Sequence, residues 1–176
     1  MLASFRKDER ETVSVGNVLF GRRIRQNHAL EHATVTILTG KMANLRVSAR
    51  SYTSGFVIFG ALDPQKVHLA AEEALGRLQA GEADLAIHPN CGTNVAVGLM
   101  CTALSWMLAL SLRRPRTRLP SAAAGVVGAA LLARPLGMMV QRHVTTLPDL
   151  RGVRIREVKP RSYFGMLAVE VQTALG

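Results

Sequence analysis

The sequence predicts an α+β fold, a small mixed helix and sheet domain into which a two-helix transmembrane hairpin is inserted. Three observations carry this. Gly92 to Leu112 holds no charged residue, close to the ~20 apolar residues that a helix needs to cross a bilayer. A second apolar run, Ser121 to Val140, follows a short arginine-rich turn and is interrupted by Arg134-Pro135. Amphipathic helical and β-rich patterns flank this pair on both sides, and 176 residues are enough for one such domain and an appendage but not for two full domains. The organisation expected is a flexible N-terminus (1–15), a first part of the α+β domain (16–90), the hairpin (91–141) and a β-rich part that completes the domain (142–176).

Composition agrees. Hydrophobic residues make up 48% and charged ones 19%, which excludes a disordered chain and points to partial membrane embedding. The net charge is +10, which favours an anionic surface. Residues 1–90 hold 11 basic and 9 acidic side chains, residues 91–141 hold 5 and 0, and residues 142–176 hold 6 and 3, so the excess belongs to the hairpin and the C-terminal segment. Met1 to Glu11 has no apolar stretch and mixes both charges, unlike a signal or transit peptide. Counting Lys and Arg near the span ends gives seven on the tail side and four in the turn, Arg113, Arg114, Arg116 and Arg118. By the positive-inside rule the polar domain faces the cytoplasm of a bacterial inner membrane. Cys91 and Cys101 lie in or beside the most apolar stretch and form no disulfide framework.

Along the chain, Gly16 to Leu38 reads as one helix, with Val18, Leu19, Ile24, Val35 and Leu38 apolar, Asn17 or Asn27 as a cap, and Gly40 as its stop. Leu45–Ala49 and Gly55–Phe59 read as two strands of a hairpin. Asp63-Pro64 starts a second helix whose apolar face is Val67, Ala71, Ala74, Leu75 and Leu78, ending before Gly81. Asp84–His88 is a brief strand before the Pro89-Asn90 turn. Within the hairpin, Ser121, Gly125, Ala129 and Ala133 recur every fourth position and let the second helix pack closely on the first. Arg134 snorkels toward the headgroups, with Pro135 ending or kinking its helix. Val153–Val158 and Phe164–Gln172 are β-rich around a turn at Lys159-Pro160.

The chemistry concentrates at His28-Ala29-Leu30-Glu31-His32, an H-x-x-E-H sequence inside the first helix. Positions i, i+3 and i+4 share a helix face, so both imidazoles and the carboxylate can converge on one ion. Neutral imidazoles suit Zn²⁺, and a glutamate that does not ligate can act as general base. The third ligand comes from His88-Pro89-Asn90-Cys91, with His88 preferred and Cys91 second. Glu72 and Glu73 rank below them, because the second helix equally places them on a solvated face. His68 and His143 read as surface histidines, and Asn27, Asn90, Thr93 and Asn94 as caps. A bland alternative is that His28 and His32 simply pair with Glu31 or brace a buried polar interface.

The order H-x-x-E-H is that of inverzincin metallopeptidases. That resemblance covers five residues, and a downstream glutamate like theirs would have to be Glu72 or Glu73. The segments Asn27 to Thr34 (NHALEHAT) and His88 to Asn94 (HPNCGTN) together resemble an uncharacterised bacterial family of small membrane proteins, a domain of unknown function. The resemblance implies no activity. The residues therefore lead to a membrane-anchored zinc hydrolase, most plainly a peptidase, in which Glu31 is catalytic and His28, His32, His88 and Cys91 supply the metal donors. The expected partners are the lipid bilayer and a peptide or protein substrate. Nucleic acid is excluded for want of aromatics among the arginines, and self-association is left open. The competing classes are a non-catalytic membrane subunit holding a structural metal or a tetrapyrrole, and a lipid-binding adaptor.

Overall fold

The computed structural model describes residues 15–112 and 115–176. The expected flexible N-terminus, apart from Val15, and the turn residues Arg113 and Arg114 lie outside the described residues. In chain order the elements are α1 (Val15–Phe20), α2 (Arg22–Lys41), β1 (Ser48–Tyr52), β2 (Gly55–Phe59), α3 (Pro64–Gln79), a 3₁₀ turn (Ala83–Ala86), α4 (Gly92–Ser111), α5 (Pro115–Val140), a π-helical turn (Gln141–Thr145), β3 (Val153–Tyr163) and β4 (Met166–Leu175). The four strands form one antiparallel sheet in the order β1-β2-β4-β3. The fold is the α+β domain with an inserted helical pair that the sequence predicts.

α2 and α3 bury their apolar stripes against the sheet. Phe56, Ile58, Val169 and Val171 meet Leu30, Ala33, Leu38, Ala71, Leu75 and Leu78 in one core. The alanines let the helices approach closely, and each buried Leu contributes about 1.5–3 kcal/mol relative to an exposed one. Asp63 caps α3 by accepting the Gln65 N–H at 2.9 Å, with Pro64 in the first turn as expected.

Several boundaries differ from the sequence prediction. The first helix breaks at Gly21, whose φ of 72° places it in the left-handed region, and α2 then runs through Gly40 to Lys41. Val18 and Leu19 are not core residues but are 70% and 64% exposed on α1. β1 begins at Ser48 because the hairpin turns at Thr53-Ser54. A side chain at Gly55 would put its Cβ 2.0 Å from the Val171 carbonyl oxygen, so glycine fixes that end of the ladder. Leu45 and Val47 keep the apolar alternation and pack on the core without pairing. Asp84–His88 is not a strand. Its first residues wind into the 3₁₀ turn, and the Ala86 carbonyl is used by His32 instead of a ladder. The last hairpin turns at Phe164-Gly165 and not at Lys159-Pro160. Pro160 lies within β3 because β3 is an edge strand, where a missing N–H can face away from the ladder.

α4 and α5 pack side by side. Two helices, Gly92–Ser111 and Arg116–Thr145, are long and apolar enough to cross a membrane, and only 11% of the apolar 18-residue window of each is buried within the chain. The small-residue stripe lies at their contact. Gly125 faces Ser105, Ala129 is buried, and Ala133 faces Gly98. Ser121 is exposed and its neighbour Ala122 is buried in its place. Pro135 does not end α5, which continues to Val140. Apolar helices tolerate such a residue where neighbouring helices and local π geometry take up the freed backbone groups.

Candidate metal centre at the foot of the hairpin

α2 is held to the hairpin by polar side chains that its mean amphipathicity does not announce. The buried Arg25 guanidinium donates to the His143 and Thr146 carbonyls at 3.3 and 3.1 Å and to Asn17 Oδ1 at 2.6 Å. Gln141, fully buried, donates to Asn94 Oδ1 at 2.7 Å and accepts the His88 N–H at 3.0 Å. Asn94 in turn donates to the Pro89 carbonyl at 2.6 Å. These bonds seat the His88–Cys91 segment between the start of α4 and the end of α5, facing α2.

His28 and His32 project from successive turns of α2 with ring centroids 4.3 Å apart. Nδ1 of His28 donates to the Thr145 carbonyl at 3.0 Å, and Nδ1 of His32 donates to the Ala86 carbonyl at 2.7 Å. A carbonyl oxygen can only accept, so the proton of each neutral ring sits on Nδ1. Nε2 is left with its lone pair, the tautomer that a metal ligand needs. Cys91 Sγ lies 3.5 Å from His28 Nε2. Among the described residues, donor atoms of His28, His32 and Cys91 all fall within 4.8 Å of one another. Tetrahedral bonds of about 2.0 Å to nitrogen and 2.3 Å to sulfur put neighbouring donors roughly 3.3–3.6 Å apart, so the Cys91–His28 separation already suits an ion. Burial pushes the Cys91 thiol up, but hydrogen bonding and charge from His32, with bonds to Thr93, outweigh it and hold the thiol below its ordinary value. A depressed thiol is the chemistry of a metal ligand or nucleophile.

Glu31 is 6% exposed and accepts a hydrogen bond from the Ser51 hydroxyl on β1. Burial raises its pKa, opposed by the charge of His28 and by the Ser51 bond. His88, expected as the third donor, stands beside the converging set. Its ring centroid is 5.9 Å from that of His32, and its Nδ1 accepts the Asn90 N–H at 3.2 Å. Burial and then the charge of His32 hold its pKa down. Cys91 takes the nearer place because it caps α4, its Sγ accepting the Thr93 N–H at 3.4 Å. Glu73 pairs with Lys41 and Arg77 on the outer face of α3, and Glu72 is exposed there. His68 and His143 are exposed.

Of the asparagines expected to cap helices, Asn27 does something else. It is fully buried in mid-helix, donating to the Tyr52 and Thr53 carbonyls and accepting from Thr173. It therefore ties α2 to the β1–β2 turn and to β4.

The donors line a cleft of about 660 Å³. α2 and the His88–Thr93 segment form one side, and the continuous stretch Leu45–Ser51 leading into and along β1 forms the other. β1 is the edge of the sheet, so one side of its backbone is free of strand partners among the described residues.

Fold and site together define a class: a small α+β domain with two helices of membrane-spanning length and a His/His/Cys cluster where the hairpin joins the domain. The chain belongs to the family of a domain of unknown function (DUF6391), whose model matches residues 23–158. It is 37% identical over 137 residues to an uncharacterised protein of Picosynechococcus sp., a match covering 70% of this chain and 65% of the relative. The chain thus spans about two thirds of that relative's length. No solved structure matches.

Proposed function

We propose that this chain is a membrane-anchored metallohydrolase in which His28, His32 and Cys91 hold Zn²⁺ and Glu31 is the general base. One observation carries the reading: two imidazoles whose Nδ1 atoms meet backbone carbonyls bring a ring donor each within 4.8 Å of the same thiol, His28 through Nε2 at 3.5 Å. Three protein donors leave a fourth position open, the arrangement of catalytic rather than structural zinc. The ion would supply Lewis acidity and bring a water there to a pKa of ~7. Glu31, shielded from bulk water and with its pKa raised by burial, takes the proton from the attacking water and passes it to the leaving amine as the C–N bond breaks. His88 at the rim, kept neutral, is placed to donate a hydrogen bond to the developing oxyanion.

A peptide is the substrate class that the cleft favours, because an extended chain can add to the free edge of β1 by main-chain hydrogen bonds. Two helices of membrane-spanning length support a domain held against a lipid bilayer, and the basic residues on the tail side support the cytoplasmic face.

The test is elemental analysis of protein purified without added metal, then cobalt substitution. One equivalent of metal and a thiolate-to-cobalt absorption band that disappears in Cys91→Ser are expected. Glu31→Gln should keep the metal and lose hydrolysis of a peptide library. Protein that never binds zinc or cobalt ends the proposal. Metal bound with no hydrolysis in the wild type makes the site structural.

A further inference from the structure

The short helix α1 presents to solvent an apolar face that the metal centre and the sheet do not use. Val15, Val18 and Leu19 are 64–70% exposed and Phe20 is 42% exposed, while Gly16 is its buried residue. A hydrophobic face turned outward on a rigid mount marks an interaction surface. The mount is rigid here. A Cβ on Gly16 would sit 2.3 Å from the Val144 carbonyl oxygen and 2.7 Å from the Arg25 guanidinium, so α1 lies hard against the π-helical turn and α2. Asn17 accepts from Arg25 at 2.6 Å, and Gly21 closes the helix by donating to the Asn17 carbonyl at 3.0 Å.

The neighbour of α1 is the end of the second apolar helix. The π-helical turn is the direct continuation of α5 and belongs to the second span, Arg116–Thr145. Near that end of α5, Met138 and Met139 are exposed. The exposed apolar residues of α1 thus adjoin the foot of the hairpin, where Arg22 and Arg142 are also exposed and pair with Asp149 and Asp84. A helix with one apolar face and basic neighbours lies in the plane of the membrane interface.

We propose that α1 is a third membrane contact, lying flat at the boundary between headgroups and acyl chains with Val15, Val18 and Leu19 in the lipid. This rests on the reading of the hairpin as membrane-spanning. α1 then works as a sideways stay. Through Asn17 and Arg25 it fixes the roll of α2 about the hairpin, and with it the direction in which the cleft opens above the bilayer.

The experiment uses the full chain in phosphatidylcholine/phosphatidylglycerol nanodiscs, with and without acyl chains brominated near their carboxyl ends. Leu19→Trp and, separately, Val18→Trp are made in a Trp106→Phe background. Both positions are exposed, so neither change burdens the core. Blue-shifted emission quenched about twofold by the bromines is expected for an indole a few ångströms below the headgroups. Emission like that of free indole, open to aqueous iodide and indifferent to bromine, overturns the proposal. Blue-shifted emission indifferent to bromine also overturns it, because the face is then covered by protein. Glu72→Trp in the same background is the water-exposed control. Native Trp106, 45% exposed on α4, separates the two readings. If bromines placed deep in the chains fail to quench it, the hairpin itself does not span the bilayer. If they quench it while the indoles at positions 18 and 19 stay in water, only the placement of α1 fails.

Discussion

Gly137→Ala is the sharpest test of how the hairpin holds the His28–His32–Cys91 cluster. A Cβ at this position would lie 2.2 Å from Asn94 Oδ1 and 2.7 Å from Asn94 Cα, and the second of these atoms is backbone that cannot swing aside. The methyl group therefore pushes the first turn of α4 away from α5. Overpacking of this kind costs about 1–3 kcal/mol. Asn94 also loses its bond to Gln141, stranding an amide in a site with no water access, which costs about 1–3 kcal/mol more. With partial relaxation a total of about 3 kcal/mol is expected, a fall in melting temperature of roughly 6–12 °C for a chain of this size. The same shift carries Cys91 away from His28, so the thiolate-to-cobalt band should weaken along with stability. Gly128→Ala is the matched control, since nothing lies within 4 Å of its Cβ and helix propensity alone favours alanine. Thermal unfolding followed by circular dichroism in micelles reads both variants. Gly137→Ala melting within a degree or two of wild type, or both variants falling equally, would refute the packing argument.

Other expectations rest on the same geometry. Cys91→Ala should abolish tight zinc binding in a chelator competition, whereas His88→Ala should keep the metal and slow hydrolysis, because among the described residues it is Cys91 that converges with both imidazoles. Equal loss of metal in both would restore His88 as a ligand. Asn27→Ala leaves the Tyr52 and Thr53 carbonyls and the Thr173 hydroxyl without their partner, and a loss of about 2–4 kcal/mol is expected in chemical denaturation. The carboxyl of Glu170 is raised by burial, but the Tyr52 hydroxyl and Arg161 outweigh this and hold its pKa below the ordinary range. A depressed folded pKa stabilises the fold above the unfolded value of about 4.3 and stops doing so as pH falls through the folded one. Glu170→Gln should thus cost about 1 kcal/mol at pH 7, and the gap to wild type should close as pH drops below 4. A gap that does not change with pH would count against the ionic pairing.

The uncharged run Gly92–Leu112 and the Asp63-Pro64 start were legible because length and capping are local properties, and each needs only neighbouring residues to be read. The pairing of His28 with His32 was legible for the same reason, since helical period alone puts them on one face. Ranking Cys91 against His88 was not local. It depends on Gln141, dozens of residues further along, accepting the His88 N–H, and on the thiol capping α4. Ser51, which holds Glu31, announces itself by no motif, because a strand serine looks like any other until the sheet packs on α2. Asn27 misled in an instructive way. An asparagine near a helix start usually caps it, and only the tertiary contact with the β1–β2 turn makes it a buried cross-link. Pro160 misled similarly, since a proline reads as a turn unless its strand is known to be an edge.

The position of β4 has a consequence for biosynthesis. It is an interior strand, bonded to β2 on one side and β3 on the other, yet it leaves the ribosome after both apolar helices. On the reading of α4 and α5 as membrane spans, both are made while the sheet is still two strands wide. Closure of the sheet waits for β4, the last element of the chain order. A chain stalled before β4 would hold its α2 histidines beside a sheet of two strands, without the interior strand that completes it.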